Sequence, residues 1–598
     1  MTSTLQPLRI SLSRASCSCV ARRAASTKAT AAWKNKGDLL VADGEIAQRL
    51  LKTGVWNGKR GPKKSGQKQL AVEPRRVNIV SKKLCDDVVK YIGPSLQRHK
   101  GCDLIDLNPG AGLWSQALHE AVEPRKHIMM DLDADLYQPY LSPLLAKENV
   151  EMIPKSGLIW KDLFDMIRTR LSHQTETPAA TTPTRNDTLL VTANLSMFPK
   201  KSYRGFDSIS TMVLYQFLSS IRQSTLFQKY GLVRMLIWVN DEDKRRLLPR
   251  SLTRRRRSAF EAELSCEWLH DVASPDVEEN RTALRDELLN LESGYKAVYH
   301  MKGMGLKMPT DRQTKLYSRV IADPSLHGKR LAGVHDPHIA RPFKKELDDL
   351  EGESSSSVDE ARLRILRQRK KSEGAEGQEY LSLLQQRDEA LSVYASNPAR
   401  FAILNEAWNA RIDNFKKNSF NEFQLIRDNY HIFRQSPPAL LWDRRHYEPL
   451  ATADEEFFPN APTALLDIQP KAAHPLLLQH GPESTRSGDM SDVMLRFWFQ
   501  YLLDPAPKAM ESLWAGFADS AASCPSLFDP TKGGSPLSNN GVLLARCINE
   551  TQWVEILQAW MDWKFRPDFT RMLGRMADES EYEDEDGSRS GASGSRLG

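Results

Sequence analysis

Apolar residues along this chain follow two rhythms. Between residues 102 and 240, short, mostly apolar runs alternate with stretches of helical spacing. The runs are "CDLIDL", "KHIMMDLD", "TLLVTANLS" and "VRMLIWVN" (233–240). Runs this short, bounded by polar turns, predict strands buried on both faces. Between the last two, Ile209 to Ile221 carries an amphipathic helical period. Val80, Leu84, Val88 and Ile92 share one face and predict a helix from Val77 to Ile92. "PTALLDIQP" (462–470) reads as a late strand of the same sheet. Alternating strands and helices predict an α/β domain, a parallel sheet with helices on both faces.

The second rhythm is helical only. Tyr380, Leu384 and Leu391, then Phe401, Leu404, Trp408, Ile412 and Phe415, fall at helical spacing. Residues 352–378, with "GESSSS" and "GAEG", read as low-complexity and disordered. Residues 472–575 are helical again, with Trp553, Leu557, Trp560 and Met561 on one core-facing stripe. The chain divides into a leader (1–37), a basic arm (38–75), an α/β core (76–274), a helical and partly disordered insertion (275–437), the end of the core (438–471), a helical C-terminal domain (472–578) and an acidic tail (579–598).

Charge changes this picture in four places. The net formal charge of +7 over 598 residues permits an anionic partner without requiring one. Residues 1–37 contain no Asp or Glu but seven basic residues, among Ser, Thr and Ala. That composition is a mitochondrial transit signature and predicts a matrix location. In the basic stretch from Lys52 to Lys83, Lys59, Arg60, Lys63, Lys64 and Lys68 suit a phosphate backbone; a solvated linker reads equally well. Arg254, Arg255, Arg256 and Arg257 form a run that predicts either phosphate contacts or a solvated loop. "RLRILRQRKK" (362–371) reads as a mobile basic arm. No apolar run approaches a bilayer span. The seven cysteines lack any C-x-x-C or zinc-like spacing, which predicts isolated thiols in a reducing compartment and no metal.

The candidate chemistry lies at strand ends. In Asp106-Leu-Asn-Pro-Gly110-Ala-Gly112 the glycines allow a tight turn and close backbone approach to a ligand. Asp131, nineteen residues after Gly112, and then Asp133 close the second strand, a spacing that suits a carboxylate on a ribose diol. The third strand ends in Asn194-Leu195-Ser196-Met197.

These motifs resemble the ribosomal RNA adenine N6-dimethyltransferase family. Its entry motif resembles Gly66-Gln67-Lys68-Gln69-Leu70, its glycine turn Asp106 to Gly112, its ribose acid Asp131 and its catalytic N-L-P-[YF] Asn194 to Met197. A later pattern of the family is echoed by "FFPNAPTALLDIQP". "DLNPGAGLWS", "YGLVRMLIWVNDEDKRRLLPRS" and "WMDWKFRPDF" resemble one branch, the fungal mitochondrial transcription factor B proteins. The resemblance covers about 66–270 and 440–575. It implies a Rossmann-like class I methyltransferase domain, with S-adenosylmethionine contacts at Gln67, Leu70, Asp106, Gly110, Gly112, Asp131 and Asn194. Three motifs depart from the family: Ser196 and Met197 replace the proline and the stacking aromatic, Lys68 and Gln69 replace entry-motif residues, and Ser156 stands near the expected adenine acid. Met is a poorer platform for a flipped base than an aromatic ring. We therefore expect the cofactor to bind weakly or not at all, with Asn194 to Met197 a relic. The expected function is a mitochondrial transcription initiation factor that partners mitochondrial RNA polymerase and melted or single-stranded promoter DNA. The alternatives are an rRNA adenine dimethyltransferase and a non-catalytic ribosome assembly protein, for both of which ribosomal RNA is the partner.

Overall fold

The structure is a computed structural model. It describes residues 40–56, 72–178, 181–200, 202, 206–276, 285–352 and 360–576. An eight-stranded sheet organises them: β1 (Asp103–Leu107), β2 (Lys126–Met130), β3 (Val150–Ile153), β4 (Arg185–Asn194), β5 (Leu232–Asn240), β6 (Cys266–Pro275), β7 (Leu450–Thr452) and β8 (Thr463–Pro470). The spatial order is β3-β2-β1-β4-β5-β8-β6-β7. Every neighbouring pair is parallel except those made by β8, which runs antiparallel to β5 and β6. β1 and β5 are buried along their whole length, as their mostly apolar sequences require.

Among the described residues, eight helices accompany the strands up to the insertion, α1 (Glu45–Lys52), α2 (Lys82–Leu96), α3 (Leu113–Val122), α4 (Ala134–Leu145), α5 (Trp160–Arg170), α6 (Ile209–Gln223), α7 (Asp241–Leu247) and α8 (Arg257–Ser265), and α9 (Glu287–Gly303) and α10 (Lys315–Ala322) open the insertion. They cover both faces of the sheet, and two apolar clusters lie on its opposite sides. This is a Rossmann-like methyltransferase fold with a large helical C-terminal region. The predicted helix from Val77 starts later, at Lys82. The Ser81 hydroxyl accepts the Leu84 amide at 3.0 Å and caps it. Asn78–Ile79 instead pairs antiparallel with Phe457–Phe458.

The insertion is ordered further than its composition predicts. α11 (Pro342–Gly352) packs on α12 (Glu360–Val393), one continuous helix where disorder to 378 was expected. Leu366 packs against Phe343 and Leu347, and Arg362 to Glu346 (2.6 Å) and Arg367 to Glu351 (2.9 Å) bridge the pair. These contacts fix residues 362–371, which are not a mobile arm. α13 (Pro398–Asp413) and α14 (Lys417–Arg434) complete the insertion. α15 (Ser487–Trp498), α16 (Ala506–Leu513) and α17 (Glu550–Asp562) form the C-terminal region around Trp498, Trp553 and Trp560, all fully buried. Cys85, Cys102, Cys266, Cys524 and Cys547 are free and buried. Among the described residues no helix is long and apolar enough to cross a membrane.

Candidate functional site

Strand polarity brings the ends of β1, β2, β4 and β5 to one edge of the sheet. Such an edge holds the ligand crevice of open α/β folds. After β1 the chain turns through Asn108, Gly110 and Gly112, with φ of 58°, 60° and 76°. The turn packs tightly. A Cβ on Gly110 would lie 2.5 Å from Asn78 Oδ1, and one on Gly112 would strike the Leu141 side chain. Both glycines are therefore required by the protein's own packing.

The predicted ribose acid is already engaged. Arg76 donates to both Asp131 carboxylate oxygens at 2.7 and 2.6 Å and lies 3.6 Å from Asp133. Asp131 also accepts the Gly110 amide (3.3 Å) and the Asp133 amide (2.9 Å). Asp131 is fully buried and Arg76 is 6% exposed. The guanidinium sits over the Tyr137 ring, 5.3 Å from its centre. Burial opposes the Arg76 charge, but the attraction of Asp131 and Asp133 dominates and holds its pKa above the usual arginine range. Burial raises the Asp133 carboxyl above its usual range while Arg76 opposes the rise. Burial likewise pushes the Tyr137 phenol up to about 12.

Arg76 belongs to a strap, residues 73–79, that lies across the strand ends. Trp56 donates its indole N–H to the Arg76 carbonyl at 3.1 Å. Val77 donates its amide to the Ser196 carbonyl at 3.0 Å, and Phe198 donates its amide to the Arg75 carbonyl at 2.7 Å. Asn78 Oδ1 accepts the Ala111 amide at 3.2 Å. Nothing in the resemblance pointed to Arg76, Asn78 or Trp56; the only signal was the basic pair "RR" at Arg75 and Arg76.

The strap also occupies Asn194. Its side-chain N–H donates to the Val77 carbonyl at 2.8 Å, and its Oδ1 accepts the Ser196 amide at 3.1 Å. Asn194, Leu195 and Ser196 are buried. The Met197 backbone is pinned on both sides by the Asn240 side chain at 3.0 Å. Asp106 is buried beside His127 at 3.5 Å. Ser156 accepts the Leu158 amide at 3.2 Å, and Asp162 faces Lys155. Gly110, Gly112, Asp131 and Asn194 therefore lie at one edge of the sheet, with Asp106 on β1 beside His127. They meet around the strap, where the chain itself engages the Asp131 carboxylate and the Asn194 side-chain amide.

Other predicted residues part company. Lys59, Arg60, Lys63, Lys64, Gln67, Lys68 and Leu70 lie outside the described residues. The arginine run splits. Arg255 is 1% exposed, pairs with Glu263 through its Nε at 3.0 Å, and donates to the carbonyls of Arg546 (2.7 Å) and Ile548 (2.9 Å). Arg257 stacks on Tyr215 and pairs with Glu261 at 3.1 Å. These two serve packing, because alternate side chains of the run turn inward; neither is a free phosphate contact. Arg254 and Arg256 carry no ion pair among the described residues. No group of three or more His, Cys, Asp or Glu among the described residues is placed to hold a metal ion.

Residues 78–278 match the family model described as ribosomal RNA adenine dimethylase, a family whose fold binds S-adenosylmethionine. No curated protein matches the chain. Among solved structures, the 23S rRNA methyltransferase ErmE is 8% identical, with a TM-score of 0.30, covering 81% of this chain and 98% of that one. A dimethyladenosine transferase from Plasmodium falciparum is 15% identical, with a TM-score of 0.22, covering 34% of this chain and 57% of that one.

Proposed function

We propose that this chain is a nucleic-acid-binding protein on an rRNA adenine dimethylase scaffold, without methyl transfer, and that it serves mitochondrial RNA polymerase as a transcription initiation factor. The observation that carries the non-catalytic reading is the strap: Arg76 neutralises Asp131, and Asn194 spends both side-chain atoms on Val77 and Ser196. An adenine amino group needs acceptors that are free to meet it. The altered Ser196-Met197 and the resemblance to the mitochondrial factor branch support the transcription role. The acid-free leader supports a matrix location. Promoter DNA, melted or single-stranded, is the partner this reading names. Run-off transcription from a mitochondrial promoter on linear DNA, with and without this chain, tests it. Promoter-specific transcript should require the chain, and equal transcript in its absence refutes the role.

A second reading is methylation of ribosomal RNA. The family match over residues 78–278 and the retained Asn194 favour it. Methyl transfer from labelled S-adenosylmethionine to an rRNA helix separates the two: turnover establishes the enzyme and removes the non-catalytic reading.

A further inference from the structure

The same edge of the sheet carries a second constellation, beyond the end of β5. We propose that α7 and the loop from Arg250 to Arg256 form a seat for a single-stranded nucleic acid, holding a phosphate on one side of α7 and a base on the other. The proposal rests on the nucleic-acid reading above and places the contact outside the relic methyltransferase pocket.

The phosphate side is a recess lined by Lys244, Arg245, Arg250 and Arg254, with Asp241 and Asp271. Lys244 answers both carboxylates, at 2.9 and 2.7 Å, which leaves a formal excess of two positive charges. Arg250 is pre-oriented. Its guanidinium lies 4.0 Å from the centre of the Trp442 ring, with Arg445 at 4.0 Å from the same ring. A stacked guanidinium keeps its N–H fork available to an oxyanion. Arg250 reaches Asp271 only at 3.9 Å, and Arg254 has no ion pair among the described residues. The cavity, about 10 Å³, holds about one water-sized group. That size suits one oxygen of a phosphodiester resting at the mouth and excludes an engulfed mononucleotide.

On the other side of α7, Phe206, Leu214, Tyr215 and Leu247 line an open cleft of about 250 Å³ with Arg246 and Arg256 among its walls. Phe206 and Tyr215 lie 6.1 Å apart, ring centre to ring centre. The carboxylate in the cleft, Asp243, is met by Lys200 at 2.8 Å. An aromatic wall with cations at its rim is the arrangement that stacks unpaired bases without reading their sequence. β6, which bears Asp271, stands three strand spacings from Asn194, roughly 14 Å. One strand can therefore span both places.

The test uses the full chain and fluorescent single-stranded oligonucleotides of one sequence, as DNA and as RNA, followed by anisotropy at several salt concentrations. Arg254→Ala/Arg256→Ala removes two unpaired cations and leaves the fold's ion pairs intact, which urea unfolding checks. It should flatten the slope of log affinity against log salt by about 1.4, two single-strand phosphate contacts. That amounts to about 7-fold less loss of affinity between about 50 and about 200 mM salt. Phe206→Ala should remove the preference of the wild-type chain for an intact oligonucleotide over one with an abasic site. The relative strength of the DNA and RNA arms identifies the natural strand. If wild type binds both oligonucleotides but the double variant keeps the full slope, this seat is wrong while the nucleic-acid reading stands. If wild type binds neither, both fall.

Discussion

Replacing Arg76 by Ala tests the closed site most directly. The substitution leaves Asp131 fully buried and Asp133 nearly so, with their cation gone. Truncating one partner of a buried pair costs about 3–5 kcal/mol, because the other charge stays out of water without compensation. Burial already raises the Asp133 carboxyl, and losing Arg76 raises it further. A carboxyl whose folded pKa is raised favours the folded state when protonated, so the penalty should be largest at neutral pH and shrink as pH falls into the carboxyl range. Urea unfolding reads the loss. The double variant Arg76→Met/Asp131→Asn, which removes both charges, should recover most of it and separates lost pairing from misfolding. The same pair sets a barrier to ligand. A ribose diol reaches Asp131 only after the strap releases it, and a release cost of about 3 kcal/mol lowers apparent affinity about 10²-fold. Calorimetric titration with S-adenosylmethionine should therefore show the Ala variant binding more tightly than wild type, by up to that factor. Low-micromolar binding by wild type, unchanged in the variant, would show that the guanidinium is not in the way.

Three further outcomes follow from the geometry. Arg255→Met should cost about 3–5 kcal/mol in urea unfolding, because Glu263 is left buried, whereas Arg256→Ala should fall within about 0.5 kcal/mol of wild type; equal effects would refute the split of the arginine run. His431 accepts Arg387 at 2.8 Å and meets the Gly533 carbonyl at 2.9 Å, and burial depresses its pKa to about 3; the unfolded chain binds its proton first, so stability should fall as pH drops from about 6.5 towards 3, and His431→Gln should flatten that loss. Residues 1–37 fused to a fluorescent reporter should carry it into mitochondria, and a cytosolic reporter would refute the leader.

Much of the sheet was legible in the sequence, for a physical reason. β1, β2 and β5 are buried on both faces along nearly their whole length, so most of their residues are apolar. Glu267, His270 and Asp271 break the apolar run of β6 and hide it; buried Asp271 is held by Lys244, on α7, at 2.7 Å and by the Ser274 hydroxyl at 2.8 Å. The long helix α12 was hidden by glycines and charges whose partners sit on α11. The glycine turn and Asp131 were visible from spacing. The strap was not. Arg76 read as part of a basic stretch and Asn78 as part of a helix, while their partners come from distant strand ends and from Phe458, 380 residues from Asn78. The arginine run concealed its own division, since four identical residues carry no sign of which turn inward.

The separation of the strap from its strand partner orders events in time. As the chain emerges from a ribosome, Arg76 can meet Asp131 after only 55 residues, but Asn78 waits for Phe458. At about 5–20 residues per second, that second meeting comes roughly 20–80 s after the first residues of the strap appear. The carboxylate is thus neutralised early, and the late strand closes over a pair that is already uncharged overall. A chain that lost Arg76 would meet the same closing step with a bare anion beneath it. That late contact would then be the one opposed by desolvation, and the defect would appear first as incomplete assembly of the nascent protein.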